Sequence, residues 1–162
     1  MPRFALLEHD WPENHGDFLL EVPGLKSRDG LELCWTWRFP GDRKAWETLF
    51  RQGGLFEAER NTDHRAHYLD YQGAVTPAAD GTSRGFVTIV FQGEFQWTDP
   101  FEFSPLEGPP VLPDFLQIAF QDHLGKQQIA GQMQLLNSAS GWKITILPET
   151  NSKAFKADSV HS

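Results

Sequence analysis

The chain has 162 residues, so one domain with a sizeable core is the natural expectation. A net charge of −8 and a pI of about 5.1 argue against non-specific wrapping of a nucleic-acid backbone, which takes clustered Lys and Arg. The single cysteine, Cys34, excludes an intramolecular disulfide, and no apolar run approaches the roughly 20 residues of a membrane-spanning helix.

In chain order, residues 3 to 9 read as a strand, Arg-Phe-Ala-Leu-Leu-Glu-His, and residues 15 to 22 as a second. Residues 23 to 30 read as a polar turn. Residues 31 to 39 alternate, with Leu31, Leu33, Trp35, Trp37 and Phe39 on an apolar face and Glu32, Cys34, Thr36 and Arg38 on the other. Asp42 is placed to cap a short helix, Arg43 to Gln52, which carries Trp46, Leu49 and Phe50 at helical spacing. Gly53-Gly54 ends it. Further strands are expected at 55 to 61 and 67 to 71, around a turn at 62 to 66, then a loop at 72 to 85. Residues 86 to 98 suggest a hairpin turning at Gln92-Gly93-Glu94. Residues 99 to 114 hold five of the 11 prolines and read as a covering loop. Strands follow at 115 to 120, 127 to 136 and 141 to 147. The pattern predicts one mostly β domain over residues 1 to 148, an antiparallel β-barrel of about eight strands with one or two short helices, and a flexible polar tail at 149 to 162.

The stretch from His9 to Glu21 carries the most chemistry. In an extended segment, residues i and i+2 share a face about 6.6 to 6.8 Å apart. That places His15, Asp17, Leu19 and Glu21 on one face, with Gly16, Phe18 and Leu20 on a core face opposite. His9 returns to the first face across the turn Trp11-Pro12-Glu13-Asn14. Two imidazoles and a carboxylate that converge can bind a divalent metal. A second cluster, Asp63-His64-Arg65-Ala66-His67-Tyr68, supplies what phosphoryl chemistry needs beside a metal, a histidine for the leaving group or the transition state. His67 is expected to point away from His64, and His123 and His161 fall in a turn and in the tail. Cys34 reads as a buried thiol, and Trp35 and Trp37 as core.

These two motifs resemble the 3′-phosphoesterase domain of the bacterial ligase D proteins of DNA end-joining. That family has a His, then six residues later His-Tyr-Asp-Phe-Arg-Leu-Glu, then a Ser-Trp strand, then Asp-His-Pro-Leu-Glu-Tyr. Here stand His9, then His15-Gly16-Asp17-Phe18-Leu19-Leu20-Glu21, then Cys34-Trp35, then Asp63-His64-Arg65-Ala66-His67-Tyr68. The similarity covers residues 3 to 97 well and the rest loosely. It implies an antiparallel barrel, with His9, His15 and Asp17 as metal ligands and manganese as the favoured ion. It implies His64 at the scissile phosphate and Tyr68 in the same pocket. The implied activity is removal of 3′-phosphates and terminal ribonucleotides from DNA or primer 3′ ends, with a repair ligase or polymerase as partner; a small phosphoester is the other substrate the acidic surface suits. Cytoplasmic residence is the expectation from the lone thiol and from an N-terminal stretch without the long apolar region of a signal peptide.

The chain departs from the family pattern at the positive clamp. Leu19 stands where the family has a phosphate-contacting Arg, and a Leu cannot donate to an oxyanion. Phe39 and Phe56 replace further family cations. Arg38, on the polar strand face, is the first candidate to bind the phosphate instead, ahead of Arg60 and Arg65. The alternative expectation is a weakened or inactive metal- or end-binding module of the same fold. A third is a metal-dependent barrel enzyme with another substrate.

Overall fold

A computed structural model describes residues 1–98, 108–122 and 129–149. Nine antiparallel strands form the sheet: β1 (Arg3–His9), β2 (His15–Lys26), β3 (Glu32–Phe39), β4 (Gly54–Arg65), β5 (Gly73–Ala74), β6 (Phe86–Trp97), β7 (Phe115–Gln121), β8 (Ala130–Ser138) and β9 (Gly141–Pro148). Their order is β1-β2-β3-β4-β9-β8-β7-β6-β5, and β1 also pairs with β6. Eight strands therefore close into a barrel-like ring, with the two-residue β5 on its margin. Ring closure satisfies the backbone groups that edge strands would leave open.

The inward faces are apolar. Phe4, Leu6, Phe18, Leu20, Trp35, Trp37 and Phe39 pack in the interior with residues of β6 to β9. Among the described residues one α-helix, α1 (Arg43–Gln52), starts where Asp42 Oδ1 accepts the Ala45 N–H and inserts Trp46 and Phe50 into this core. Gly53, at φ 84°, ends it. Gly16 lies under Trp46, and a Cβ there would stand 3.0 Å from the indole Cζ2. The missing side chain lets Trp46 of the helix pack closely on β2 between His15 and Asp17.

A second, smaller apolar layer covers the outer face of β1, β2 and β3. Ala5, Leu7, Leu19 and Cys34 meet Ala66, Leu69 and Val87 there. Ala66–Asp70 is a 3-10 helix, not the strand expected at 67 to 71. Its two buried residues, Ala66 and Leu69, are three apart, which suits a 3-10 turn lying on a sheet.

Other expectations are corrected too. The expected turn at 62 to 66 is a continuation of β4, which stays paired with β3 as far as Leu33↔Arg65. β2 runs past Pro23-Gly24 to Lys26 through a register shift, and the turn is confined to Ser27–Gly30, where the Gly30 N–H donates to the Ser27 carbonyl. The expected hairpin at 86 to 98 is one strand, β6. Gly93 turns nothing; it lets β6 pass the Gln121 backbone, with which any Cβ would collide. β8 runs Ala130–Ser138, and residues 127 and 128 of the strand expected there lie outside the described residues. Part of the proline-rich loop, His123, the tail from 150 on and His161 lie outside the described residues.

Candidate metal centre

The site forms where β1 ends and β2 begins. His9 and His15 face each other in the β1–β2 register, with Asp17 opposite Leu7. Asp17 is 1% exposed and His15 4%. Their donor atoms are close: His15 Nε2 is 3.4 Å from Asp17 Oδ1, and His9 Nδ1 is 3.6 Å from Asp17 Oδ2. His64 arrives from β4, with its Nε2 3.6 Å from the same Oδ2. A bulge delivers it. Between Thr36↔Asn61 and Cys34↔His64, β4 advances one residue more than β3, and such bulges re-aim a side chain. The His64 N–H donates to Thr36 Oγ1 at 3.2 Å, fixing the displaced backbone.

Each imidazole is held from behind by a backbone carbonyl. His9 Nε2–H donates to Arg84 O at 2.8 Å, His15 Nδ1–H to Glu13 O at 2.9 Å and His64 Nδ1–H to Thr62 O at 2.7 Å. A carbonyl can only accept, so the tethered nitrogen carries the proton. In a neutral ring the other nitrogen then presents a lone pair, and in all three rings that nitrogen faces Asp17. Lone pairs facing a carboxylate repel it unless a proton or a cation lies between. Carbonyl-tethered histidines of this kind are the usual outer support of metal ligands.

The donors fit an ion. Ligands about 2.0–2.2 Å from one ion stand roughly 3 to 3.6 Å apart, and the separations to Asp17 are 3.4 and 3.6 Å. The Asp17 Oδ1 atom is buried and has no hydrogen-bond partner. Among the described residues, His9, His15 and Asp17 form the group that could hold a metal ion. His64 lies beside that group rather than within it.

Charge and proton balance agree with this geometry. Burial pushes the Asp17 carboxyl up, but the facing imidazoles of His15, His64 and His9 outweigh it and hold the group well below the usual carboxylate range. Asp17 raises the His9 imidazole above its ordinary value, against burial. Burial lowers His64, yet Asp17 and the Thr62 carbonyl leave it raised.

The other candidate residues fall around this centre. Tyr68 stands edge-on to His64, ring centroids 6.4 Å apart. His67 is exposed and lies tilted against the Tyr68 and Tyr71 rings instead. Arg38 lies directly opposite Asp17 in the β2–β3 register, but its guanidinium pairs with the exposed Glu13 carboxylate at 3.1 Å. Arg60 is committed to structure: it binds Asp63 at 2.6 Å and the Thr36 carbonyl at 2.9 Å, over the Trp37 ring. Leu19 does not reach solvent on the face it shares with His15 and Asp17. It is fully buried in the outer apolar layer. Cys34 is buried there too, its thiol pushed up to about 12, chiefly by burial. The carbonyls of Glu13, Thr62 and Arg84 escape sequence reasoning, because every residue carries one and no side-chain type marks it.

No helix of the described residues is long and apolar enough to cross a membrane. The chain matches no protein-family model and no curated protein.

Proposed function

We propose that the protein is a divalent-metal-dependent phosphoesterase that acts on 3′-phosphorylated DNA ends or a related small phosphoester, with manganese as the ion. The observation that carries this reading is the set of three backbone-tethered imidazoles facing one buried carboxylate. His9, His15 and Asp17 would hold the ion, which when bound supplies positive charge and Lewis acidity to a phosphoryl oxygen. The resemblance to the ligase D phosphoesterase domain supplies the substrate class.

The chain's own residues have separable tasks. His64 is the most open of the three imidazoles, its side chain 23% exposed against 5% for His15. It can therefore meet a substrate, and its raised proton affinity suits a group that protonates a leaving oxygen. Tyr68 lines the approach to it. Arg38 supplies the guanidinium that Leu19 does not. Its bond to Glu13, a carboxylate 78% exposed, is a surface pair worth about 0–1 kcal/mol, so exchange of Glu13 for a phosphate costs little.

A second reading is a binding module without turnover, and the buried Leu19 favours it: the family's clamp position is absorbed into packing. Incubation with manganese and either a 3′-phosphorylated primer–template or a nucleoside 3′-monophosphate separates the two, beside His15→Ala and His64→Ala. Release of phosphate by the parent and not by the variants supports the enzyme. Metal binding with no release from either substrate leaves the binding module.

A further inference from the structure

We propose that the cleft beside Arg38 seats the alcohol half of a small phosphoester, a single sugar-bearing group rich in hydroxyl or amino donors; this rests on the phosphoesterase reading above. The cleft has a volume of about 460 Å³ and is walled by Arg38, Glu57, Glu59, Arg60, Ser140 and Trp142. That is the size of small-molecule sites in general, about 300–1,000 Å³.

Register ties the cleft to the metal centre. Asp17 stands opposite Arg38 on β3, and Arg38 stands opposite Glu59 on β4. Directly opposed residues share a face, so the three form a row across the outside of the sheet. Two strand spacings separate Asp17 from Glu59, about 9.5 Å. That distance accommodates a phosphate at the Asp17 end, its ester oxygen over Arg38 and one sugar ring toward Glu59. Where the row ends, β4 passes from pairing with β9 to pairing with β3, and the β8–β9 turn at Ser140 forms the far wall.

The chemistry of the walls selects the occupant. Carboxylates accept hydrogen bonds and cannot donate, so Glu57 and Glu59 call for hydroxyl or amino groups. With Arg38 on the first phosphate and Arg60 held by Asp63, a second phosphate beside Glu59 would meet like charge, in a chain whose net charge is already −8. The cleft therefore admits a terminal nucleoside or a sugar and disfavours a polynucleotide, whose next phosphate would fall beside Glu59. Glu59 is the residue that determines specificity.

Calorimetric titration of the manganese-loaded chain with a nucleoside 3′-monophosphate, ribose 5-phosphate, phenyl phosphate and a 3′-phosphorylated oligonucleotide tests this. The two sugar-bearing monomers should bind about tenfold more tightly than phenyl phosphate and more tightly than the oligonucleotide. A difference between the two monomers reads the contribution of the base. Ser140→Trp, which fills the cleft, should abolish the preference while manganese affinity stays that of the parent; Glu59→Leu, at the rim, should do the same if Ser140→Trp fails to fold. Equal affinity for the three small esters, no binding of any ester, or an unchanged preference in a folded variant overturns the proposal. Preferential binding without turnover leaves the cleft standing and removes the phosphoesterase reading. Turnover without preference does the reverse.

Discussion

His64 Nε2 lies 3.6 Å from Asp17 Oδ2, although the strand register seats His64 opposite Cys34 and Asp17 opposite Arg38. The extra residue in β4 and the Thr36 hydroxyl bring the imidazole across β3 to the carboxylate. One carboxylate thus organises two groups of residues: the trio with His9 and His15, which could hold an ion, and the pair with His64.

His64→Ala therefore separates binding from chemistry. Manganese affinity should stay within a few-fold of the parent, since His9, His15 and Asp17 remain. Phosphoester hydrolysis should fall by about 10²–10⁴, the usual contribution of a positioned acid or base. A parallel loss of metal in a binding titration would show instead that His64 is itself a ligand.

The pH dependence has opposite signs for metal binding and for stability of the metal-free protein. Asp17 raises His9 above 6.5, and the same carboxylate leaves His64 raised against burial. The stabilisation this gives is complete below pH 6.5 and is lost as pH rises through the folded-state values. Metal-free protein should thus lose thermal stability from pH 6 toward pH 8, and His64→Asn should flatten that slope. Metal binding requires neutral imidazoles, so manganese affinity should rise over the same interval. Thermal scans at both pH values, with and without manganese, read both signs.

Leu19→Arg places a guanidinium two residues beyond Asp17 on β2 and should not create a phosphate clamp. Leu19 is fully buried among Ala5, Leu7, Cys34, Ala66, Leu69 and Val87. An unpaired guanidinium there should cost about 3 kcal/mol or more of folding stability. Denaturant unfolding should show the lost stability, with no gain in turnover.

Gly16→Ala tests the link between α1 and the centre. The new Cβ would meet Trp46 Cζ2 at 3.0 Å and Leu6 Cδ1 at 3.2 Å, both in the buried core. Overpacking of this kind costs about 1–3 kcal/mol. Because Gly16 lies between His15 and Asp17, manganese affinity should fall along with the melting temperature.

Local signals made much of the fold and the site legible in the sequence. Alternation over residues 31 to 39 gave β3, although the strand starts at Glu32 and leaves Leu31 exposed, and Asp42 with the spacing of Trp46, Leu49 and Phe50 gave α1. The i, i+2 rule placed His15 and Asp17 on one face. Errors arose where tertiary contacts decided the outcome. Gly93 resembles a hairpin turn, yet its role is clearance from the Gln121 backbone. Residues 67 to 71 read as a strand, yet Ala66–Asp70 winds into a 3-10 helix that buries Leu69 on the outer face of the sheet. The outer apolar layer itself was invisible, because β1, β2, β3 and β6 each contribute only one to three of its residues, so nothing local marks Leu19 as buried. The tethering carbonyls have no sequence signature at all.

The most direct test of the Asp17-centred metal site is a manganese titration of the full chain at pH 8, beside Asp17→Asn, followed by calorimetry. The parent should bind one ion per chain. Asp17→Asn should lose more than the roughly 10–100-fold that removal of an outer-shell partner costs, because it removes the carboxylate ligand itself while keeping its shape. A parent that binds no divalent ion, or an Asp17→Asn variant that binds as tightly as the parent, would contradict the account.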